Sequence, residues 1–340
     1  MVRVGIVGVG FMGWIHYLAY QRCKQARLAA FCSRDAGKRA GDWRGIQGNF
    51  GPPGERIDVS DLAVFTSLED LLADASIDLI DICLPPHLHA DAVTQSLRAG
   101  KWVLCEKPLA LTAGEAETLA SQSSGKLLVA HILPFFTEYR LLCEAVRTGR
   151  YGRLLGGRFK RVIGPPSWIP DFYDPSRVGG PLIDLHVHDA HLIRMLMGMP
   201  KSAHTSSRAH RDASLRQATV PQYVESIFHF DDAALVASAV SGVIDQPSRG
   251  FTHGYDVQFE KANVQFEMAA FADGIASQIP LTIAHQDGRV ERPETGASDP
   301  IAVFVEELDA AAEAVVSGVV HPALSAANAV DAIRICELQM

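Results

Sequence analysis

The stretch VGIVGVGFMG, residues 4–13, joins an apolar run to a glycine-rich turn. Three glycines follow the predicted strand with the spacing G-x-G-x-x-G, at the start of a predicted helix. Glycine at these positions permits a tight turn and lets a pyrophosphate approach the N-terminus of the helix. The stretch therefore predicts a dinucleotide-binding turn, although a chance glycine-rich turn is the alternative for the motif alone. The predicted cofactor contacts are Gly8, Gly10, Phe11, Met12 and Gly13.

Short runs rich in valine, isoleucine and leucine alternate with helix-like segments up to about residue 130. Such alternation is typical of crossover connections and a parallel sheet. The predicted strands are residues 2–7, 28–32, 77–84, 102–105 and 127–131, and the predicted helices are residues 12–25, 67–74, 88–99 and 113–123.

Two features of this half are less regular. Thr66 and Glu69 have the spacing of a capping box, which predicts the start of the helix over 67–74. Residues 43–61 are rich in glycine and proline, and we interpret them as a solvated insertion between the second helix and the next strand.

The pattern changes after residue 150. β-prone stretches such as LLGGRFKRVI and ANVQFEM follow one another across short turns, which predicts a mostly antiparallel sheet with one face left open. Asp299 and Pro300 mark the start of a helix near the end of the chain. The predicted fold class is α/β: a parallel-sheet Rossmann domain over 1–125, followed by an α+β domain over 126–340.

Composition narrows the possible partners and the compartment. The 340 residues carry a formal net charge of −8, and the basic residues are scattered, which argues against nucleic acid or an anionic membrane as a primary partner. No stretch is long and apolar enough to span a bilayer. The six cysteines show no CxxC spacing, which favours reduced thiols and a cytoplasmic location.

The end of the second predicted strand carries a clue to the cofactor. An acid there would bind the ribose 2′-hydroxyl of NAD, but the register places Ser33 and Arg34 first and Asp35 late. A hydroxyl and a guanidinium suit a 2′-phosphate, so NADP(H) is favoured over NAD(H). The alternative is that Arg34 is a solvated residue at a helix start.

The stretch VLCEKPLALT, residues 103–112, ends a buried strand with two charges against a proline. Ligands of parallel sheets bind at the carboxyl ends of the strands, so the residues after this strand and after DLIDICL are candidates for the nicotinamide side. His87 is as readily interpreted as a loop residue without a role. The cofactor-binding candidates at these ends are Pro85, His87, Glu106 and Lys107.

The stretch GGPLIDLHVHDAHLIRMLMG, residues 179–198, brings an acid and several histidines together. Asp184 and His188 are four residues apart and share a face if the segment is helical, so the acid could hold the imidazole for proton transfer. Alternatively, His186, His188 and His191 bind a divalent metal together with Asp184 and Asp189, or the histidines are core or capping residues.

These motifs together resemble the Gfo/Idh/MocA family, the group of glucose-fructose oxidoreductase and inositol dehydrogenase. The resemblance rests on the glycine turn, on CEKP at 105–108 and on GGPLIDLHVHD at 179–189, and it runs through most of the chain. It implies a Rossmann domain, a C-terminal sheet domain that often forms the oligomer interface, and reversible oxidation of a sugar or cyclitol hydroxyl. The catalytic residues that it implies are Lys107, Asp184 and His188.

The sequence therefore predicts an NAD(P)-dependent oxidoreductase that acts on a sugar, cyclitol or keto-sugar and forms a homodimer or homotetramer. His186 stands where many relatives have glycine, which leaves the substrate open. A cofactor-sensing regulatory protein with the same fold is the rival from another class. The predicted substrate contacts are Trp168, Tyr173 and His186, although the first two could instead be aromatic anchors of a proline-rich loop.

Overall fold

The computed structural model of this protein describes residues 1–166, 169, 172–209, 221–295 and 299–340, with the backbone alone for 275–278. Its chain divides into two units. The first comprises Met1–Phe135 with Ser298–Val330, and the second comprises Phe136–Ala297 with Asp331–Met340.

The first unit is built on a parallel sheet of six strands. The strands are β1 Val2–Val7, β2 Ala26–Cys32, β3 Ala63–Phe65, β4 Leu79–Ile82, β5 Trp102–Glu106 and β6 Leu127–Ala130. Their order in the sheet is β3-β2-β1-β4-β5-β6, so the direction of winding reverses between β1 and β4. The central strands are mostly apolar because both of their faces are covered, and the buried Asp81 of β4 is an exception. All four residues of β4 and of β6 are buried.

The helices of this unit are α1 Phe11–Tyr20, α2 Ala36–Arg39, α3 Leu68–Ala73, α4 His89–Arg98, α5 Ala113–Gln122 and α9 Pro300–Ser317. Helix α9 begins as predicted, with Asp299 as its N-cap and Pro300 in its first turn. It packs on α1, and for this reason it joins the first unit, whereas the sequence placed everything after residue 125 in the second.

Three local predictions in this unit differ from the structure. The short strand β3 was not predicted, and α1 ends at Tyr20, five residues before the predicted end. The N-cap of α3 is Ser67 rather than Thr66: its hydroxyl accepts from the Asp70 backbone N–H at 3.1 Å. Ser67 has the extended backbone of a cap, so the helix starts one residue later than the capping-box spacing suggested.

Most residues of the segment 43–61 are exposed, as predicted for a solvated insertion, but a few of its side chains are buried. Trp43, Ile46 and Ile57 are buried, and the Trp14 indole N–H donates to the Pro52 carbonyl at 2.9 Å. The rings of Phe11 and Phe50 pack edge to face, with their centroids 4.9 Å apart. The segment therefore covers α1 and supplies part of the core of the first unit.

The second unit contains an eight-stranded sheet in the order β14-β13-β12-β11-β7-β10-β9-β8. Its strands are β7 Leu154–Ile163, β8 Ser202–Ala209, β9 Pro221–His229, β10 Val236–Val243, β11 Arg249–Phe259, β12 Ala262–Phe271, β13 Gly274–His285 and β14 Val290–Glu291. Only β7 and β10 pair in parallel among these neighbours, so the prediction of a mostly antiparallel sheet is confirmed.

The remaining helices are α6 Thr137–Thr148, α7 Gly180–Asp184, α8 Val187–Met197 and α10 Ala326–Glu337. Helices α7 and α8 contact β7, β9 and β10. Along β9, Val224, Ser226 and Phe228 are buried, whereas Ile227 between them is 47% exposed. This alternation is typical of a sheet with one face covered and one face open.

All six cysteines lie in the described part of the chain and are free thiols. Within that same part, no helix combines the length and the apolar character needed to cross a membrane.

Candidate active site

The glycine turn after β1 has the form that a pyrophosphate site requires. Gly8 has φ +99°, and a Cβ there would meet the Cys83 carbonyl oxygen at 2.8 Å. A Cβ on Gly13 would meet the Gly8 carbonyl oxygen at 2.2 Å, so α1 can approach the turn only with glycine at that position. A Cβ on Gly10, in contrast, would point into open space.

The open space at Gly10 lies at the N-terminus of α1, where no side chain caps the helix. Uncapped N–H groups and the helix dipole favour an anion at this position. Phe11 and Met12 lie in the first turn of α1, where the backbone N–H groups have no acceptor within the helix and can bind a ligand. These residues therefore fit the pyrophosphate of a dinucleotide.

The chain after β2 carries two cations, of which Lys38 contacts this turn. Arg34 is exposed, and the ammonium of Lys38 donates to the Val9 carbonyl at 2.6 Å. Ser33 is nearly buried, and its hydroxyl accepts from the Asp35 N–H at 3.3 Å. The Asp35 carboxylate caps α2 by accepting from the Lys38 N–H at 3.0 Å.

The carboxyl ends of β4 and β5 carry the other predicted cofactor residues of the first unit. Pro85 is exposed, and His87 is partly buried in a 3₁₀ turn over Pro86–Leu88. Lys107 follows β5 directly, is partly exposed, and is joined to Pro108 by a cis peptide bond. Its N–H donates to the Glu106 carboxylate at 3.2 Å. β4 lies between β1 and β5. The carboxyl ends of β1 and β4, between which the winding reverses, are the usual ligand position in such sheets.

A buried cluster lies beneath Lys107. Asp81 of β4 accepts from the Tyr20 hydroxyl at 2.9 Å and from His16 Nδ1 at 2.8 Å. His16 Nε2 lies 3.1 Å from Glu106 Oε1, as an ion pair and not as an aligned hydrogen bond. Asp81 and His16 have no exposed surface, and Glu106 is 6% exposed.

The charges of this cluster shift its pKa values. Burial alone would lower the pKa of His16, but Asp81 and then Cys83 raise it well above its usual value. His16 is therefore an imidazolium near neutral pH, and the stability that it contributes is present below about pH 6.5 and lost as the pH rises through the folded value.

Glu307 of α9 faces this cluster. Burial, followed by the charge of Glu106, raises the pKa of Glu307 well above its usual value. The folded protein thus holds a proton that the unfolded chain releases above about pH 4.5, so the contribution of Glu307 to stability falls as the pH rises from there. Both carboxyl oxygens are buried without a hydrogen-bond partner.

A second buried histidine adjoins the same turn. His89 Nδ1 lies 2.8 Å from the Pro108 carbonyl oxygen, and Nε2 lies 2.7 Å from the Leu84 carbonyl oxygen. Burial lowers the pKa of His89, and the two carbonyl acceptors oppose this shift. The ring therefore links the chain after β4 to the chain after β5.

In the second unit, the predicted acid and histidine do not share one helix. Asp184 is the last residue of α7, Leu185 and His186 form a turn, and His188 lies in the first turn of α8. Asp184 and His188 are both partly exposed, whereas every residue between them is buried. The pair is therefore accessible from outside despite the break in the helix.

The structure places His186 where a substrate could not touch it. Its side chain has no exposed surface, and its ring stacks on Phe228 at 6.4 Å between centroids. Burial lowers the pKa of His186 to about 4 and that of His191 to about 3, so both are neutral near pH 7. The prediction of His186 as a substrate contact is corrected: it is a core histidine.

The covered face of the second sheet holds one ion pair behind this segment. Arg161 of β7 donates to both oxygens of Asp189, at 2.8 and 3.1 Å. The two side chains are 4% and 1% exposed. Since Asp189 follows His188 directly, the pair holds the first turn of α8 on the sheet.

Two predicted substrate residues lie in the proline-rich loop. Tyr173 is half-buried and packs on a cluster that includes Phe172 and Leu185, as an anchor of the loop would. Trp168 lies outside the described residues.

The metal alternative has no geometric support. Within the described ranges, the one set of three potential ligand residues that come together is His16, Asp81 and Cys83. These atoms already hydrogen-bond to one another. His186, His188 and His191 do not form such a set.

Sequence reasoning missed the buried partners of the site. His16, Asp81, His89 and Glu307 were not singled out, although Asp81 interrupts the apolar strand DLIDICL and Glu307 lies on the apolar face of α9. A charge at a buried position of a strand or helix is a usable signal, because it needs a partner.

Comparison with known proteins identifies domains of one family in both halves of the chain. The profile of the "Oxidoreductase family, NAD-binding Rossmann fold" (GFO_IDH_MocA) matches residues 2–130, and that of the "GFO/IDH/MocA C-terminal domain" matches residues 139–265. Inositol 2-dehydrogenase of Rhizobium meliloti (strain 1021) is 27% identical over 297 residues, which cover 86% of this chain and 81% of that enzyme.

Other similar proteins are dehydrogenases as well. D-xylose 1-dehydrogenase (NADP(+)) 2 of Haloferax volcanii is 26% identical over 317 residues, 92% of this chain and 89% of that enzyme. The solved structure of levoglucosan dehydrogenase in complex with NADH has the same fold, with a TM-score of 0.76 at 21% identity, over 99% of this chain and 95% of that one. The chain therefore belongs to the Gfo/Idh/MocA family of oxidoreductases, whose N-terminal domain is an NAD-binding Rossmann fold.

Proposed function

We propose that this oxidoreductase transfers a hydride between a nicotinamide cofactor and a carbon of a sugar, cyclitol or keto-sugar. The observation that carries the proposal is the position of Lys107: it is partly exposed at the carboxyl end of β5, on the same edge of the parallel sheet as the turn after β1 where Gly10 leaves open space. Relatives named for inositol and D-xylose support this class of substrate.

Three side chains have distinct roles in the proposal. The bound nicotinamide supplies or accepts the hydride. Lys107 donates hydrogen bonds to the substrate oxygen, and its contribution grows as that oxygen gains negative charge. His188 takes or returns the hydroxyl proton, and Asp184 orients His188 or binds a neighbouring hydroxyl. The partial exposure of Asp184 and His188 supports their access to a ligand.

NADP(H) is the proposed cofactor in preference to NAD(H). Arg34 and Lys38 place two cations by the end of β2, and the nearby Asp35 carboxylate is engaged as the cap of α2. A 2′-phosphate would pair with these cations, whereas a ribose diol would lack a free acid to bind. Relatives of both kinds exist, one named for NADP(+) and one solved with NADH.

The open face of the second sheet is the proposed surface of self-association. Ile227 is 47%, Val236 59% and Ile279 39% exposed. Strand pairing places Ile227 beside Ser238, next to Val236, on one face. Burial of such residues between copies supports a homodimer or homotetramer. The free thiols support the proposal of a cytoplasmic location.

The catalytic roles are tested by Lys107→Ala and His188→Ala, with Lys126→Ala and His204→Ala as matched controls elsewhere in the chain. A panel of cyclitols, sugars and their keto forms is assayed by nicotinamide absorbance with both cofactors. Lys107→Ala should lower kcat by about a hundredfold or more while cofactor affinity is kept. His188→Ala should lower kcat by about a hundredfold and remove the pH dependence near neutrality.

The two controls should match the parent protein. Turnover near the parental value in Lys107→Ala, with saturating cofactor and a confirmed substrate, would refute the proposed mechanism.

A further inference from the structure

The turn that carries Lys107 is held from both sides by buried histidines. We propose that His16 and His89 are positioning residues for Lys107, because their rings hold the chain just before and just after it. The inference rests on the proposed function, in which Lys107 acts on the substrate oxygen.

His16 acts on the Glu106 side. Its Nδ1 is held by Asp81 at 2.8 Å, and Asp81 is itself held by the Tyr20 hydroxyl at 2.9 Å. The opposite ring nitrogen lies 3.1 Å from Glu106. These contacts fix the fully buried ring of His16, so its positive charge stays beside the carboxylate of Glu106.

The Glu106 carboxylate, held in this way, contacts the backbone of Lys107. Its other oxygen accepts from the Lys107 backbone N–H at 3.2 Å. The path from Asp81 through His16 to Glu106 therefore ends on the main chain of the proposed catalytic residue.

His89 acts on the Pro108 side. Its ring lies between two carbonyl oxygens, with Nδ1 2.8 Å from that of Pro108 and Nε2 2.7 Å from that of Leu84. Since Leu84 follows β4 and Pro108 follows β5, one fully buried side chain sets the spacing between the two strand ends. A lysine aimed at a small substrate depends on such spacing, because errors of about 1 Å cost large factors in rate.

The alternative is that both histidines only stabilise the core. A positioning role requires the ring nitrogen that faces the turn of Lys107, whereas a role in core stability does not depend on that nitrogen. At position 16 the nitrogen facing the turn is Nε2, whereas at position 89 it is Nδ1. An asparagine amide reproduces the place of Nδ1 and a glutamine amide that of Nε2. Both amides are neutral, so comparing His→Asn with His→Gln at one position separates the two contacts at equal charge.

The experiment compares kcat, KM and cofactor affinity in His16→Asn, His16→Gln, His89→Asn and His89→Gln. We expect opposite rankings: kcat of His16→Gln above that of His16→Asn, and kcat of His89→Asn above that of His89→Gln, each by about tenfold. Cofactor affinity and the melting temperature should not follow these rankings. The same ranking at both positions, or no ranking, would overturn the proposal.

The same four substitutions are then made in the Lys107→Ala protein. If the histidines act through Lys107, the rankings disappear there; rankings that persist would also overturn the inference. If the pair at one position fails to fold, the ranking at the other position decides by itself. Lys107→Ala with parental turnover refutes the proposed function, whereas a large loss in Lys107→Ala without the rankings refutes only this inference.

Discussion

Replacing Asp189 by asparagine should strongly destabilise the second unit. The change keeps the size of the side chain but removes the charge that faces Arg161, which is 4% exposed and bound by both carboxylate oxygens of Asp189. The guanidinium cannot lose its proton, so a buried charge is left without its counterion.

The magnitude follows from the burial of the pair. Removing one partner of a fully buried ion pair costs about 3–5 kcal/mol, whereas an exposed pair contributes about 0–1 kcal/mol. The matched control is Asp231→Asn, which breaks an ion pair with Lys201 whose side chains are 84% and 63% exposed. We expect a loss of about 3–5 kcal/mol for Asp189→Asn and almost none for the control.

Urea unfolding, followed by far-UV circular dichroism, measures both variants. The double variant Arg161→Met with Asp189→Leu should recover most of the loss, because apolar residues of similar volume can replace a buried pair. A cost below about 1 kcal/mol for Asp189→Asn would show that the charge of Arg161 is compensated elsewhere. A double variant as unstable as the single one would refute the argument as well.

Glu307→Gln should remove a fall in stability of up to about 1.4 kcal/mol per pH unit above about pH 4.5, since glutamine stays neutral; equal slopes of unfolding free energy against pH in parent and variant would contradict this. Arg34→Ala should weaken NADP(H) by about 1.5–3 kcal/mol, measured by fluorescence titration, and leave NAD(H) unchanged. Arg27→Ala is its control, and equal losses for both cofactors would refute the preference. Ile227→Asp with Val236→Asp should give monomers by light scattering, whereas a monomeric parent would contradict the proposed assembly.

Much of the fold could be predicted because its signals are local. The alternation of strands and helices follows from the order of apolar runs and helix-like segments in the sequence. The helix start at Asp299–Pro300 likewise depends on two neighbouring residues. The short strand Ala63–Phe65 was missed since three residues carry almost no periodicity. The burial of Trp43 in a glycine-rich segment depends on a surface of α1 that no local pattern reveals.

The candidate site was predictable where the chemistry lies in consecutive residues. The spacing of Gly8, Gly10 and Gly13 by itself determined the turn, because each glycine meets a steric demand of that turn or leaves room for a ligand. Glu106–Lys107–Pro108 likewise marked the end of a strand from its own sequence.

Only the tertiary structure decided which charges share a cluster. His16 and Asp81 are 65 residues apart in the chain. Glu307 of α9, much later in the sequence, interacts with both of them. Tertiary packing also separated His186, fully buried, from the partly exposed His188 two residues later. Glycine spacing and strand periodicity act through the backbone of neighbouring residues and can be read along the chain. Burial and pairing depend on what the folded chain brings within a few ångströms, which the order of residues alone does not state.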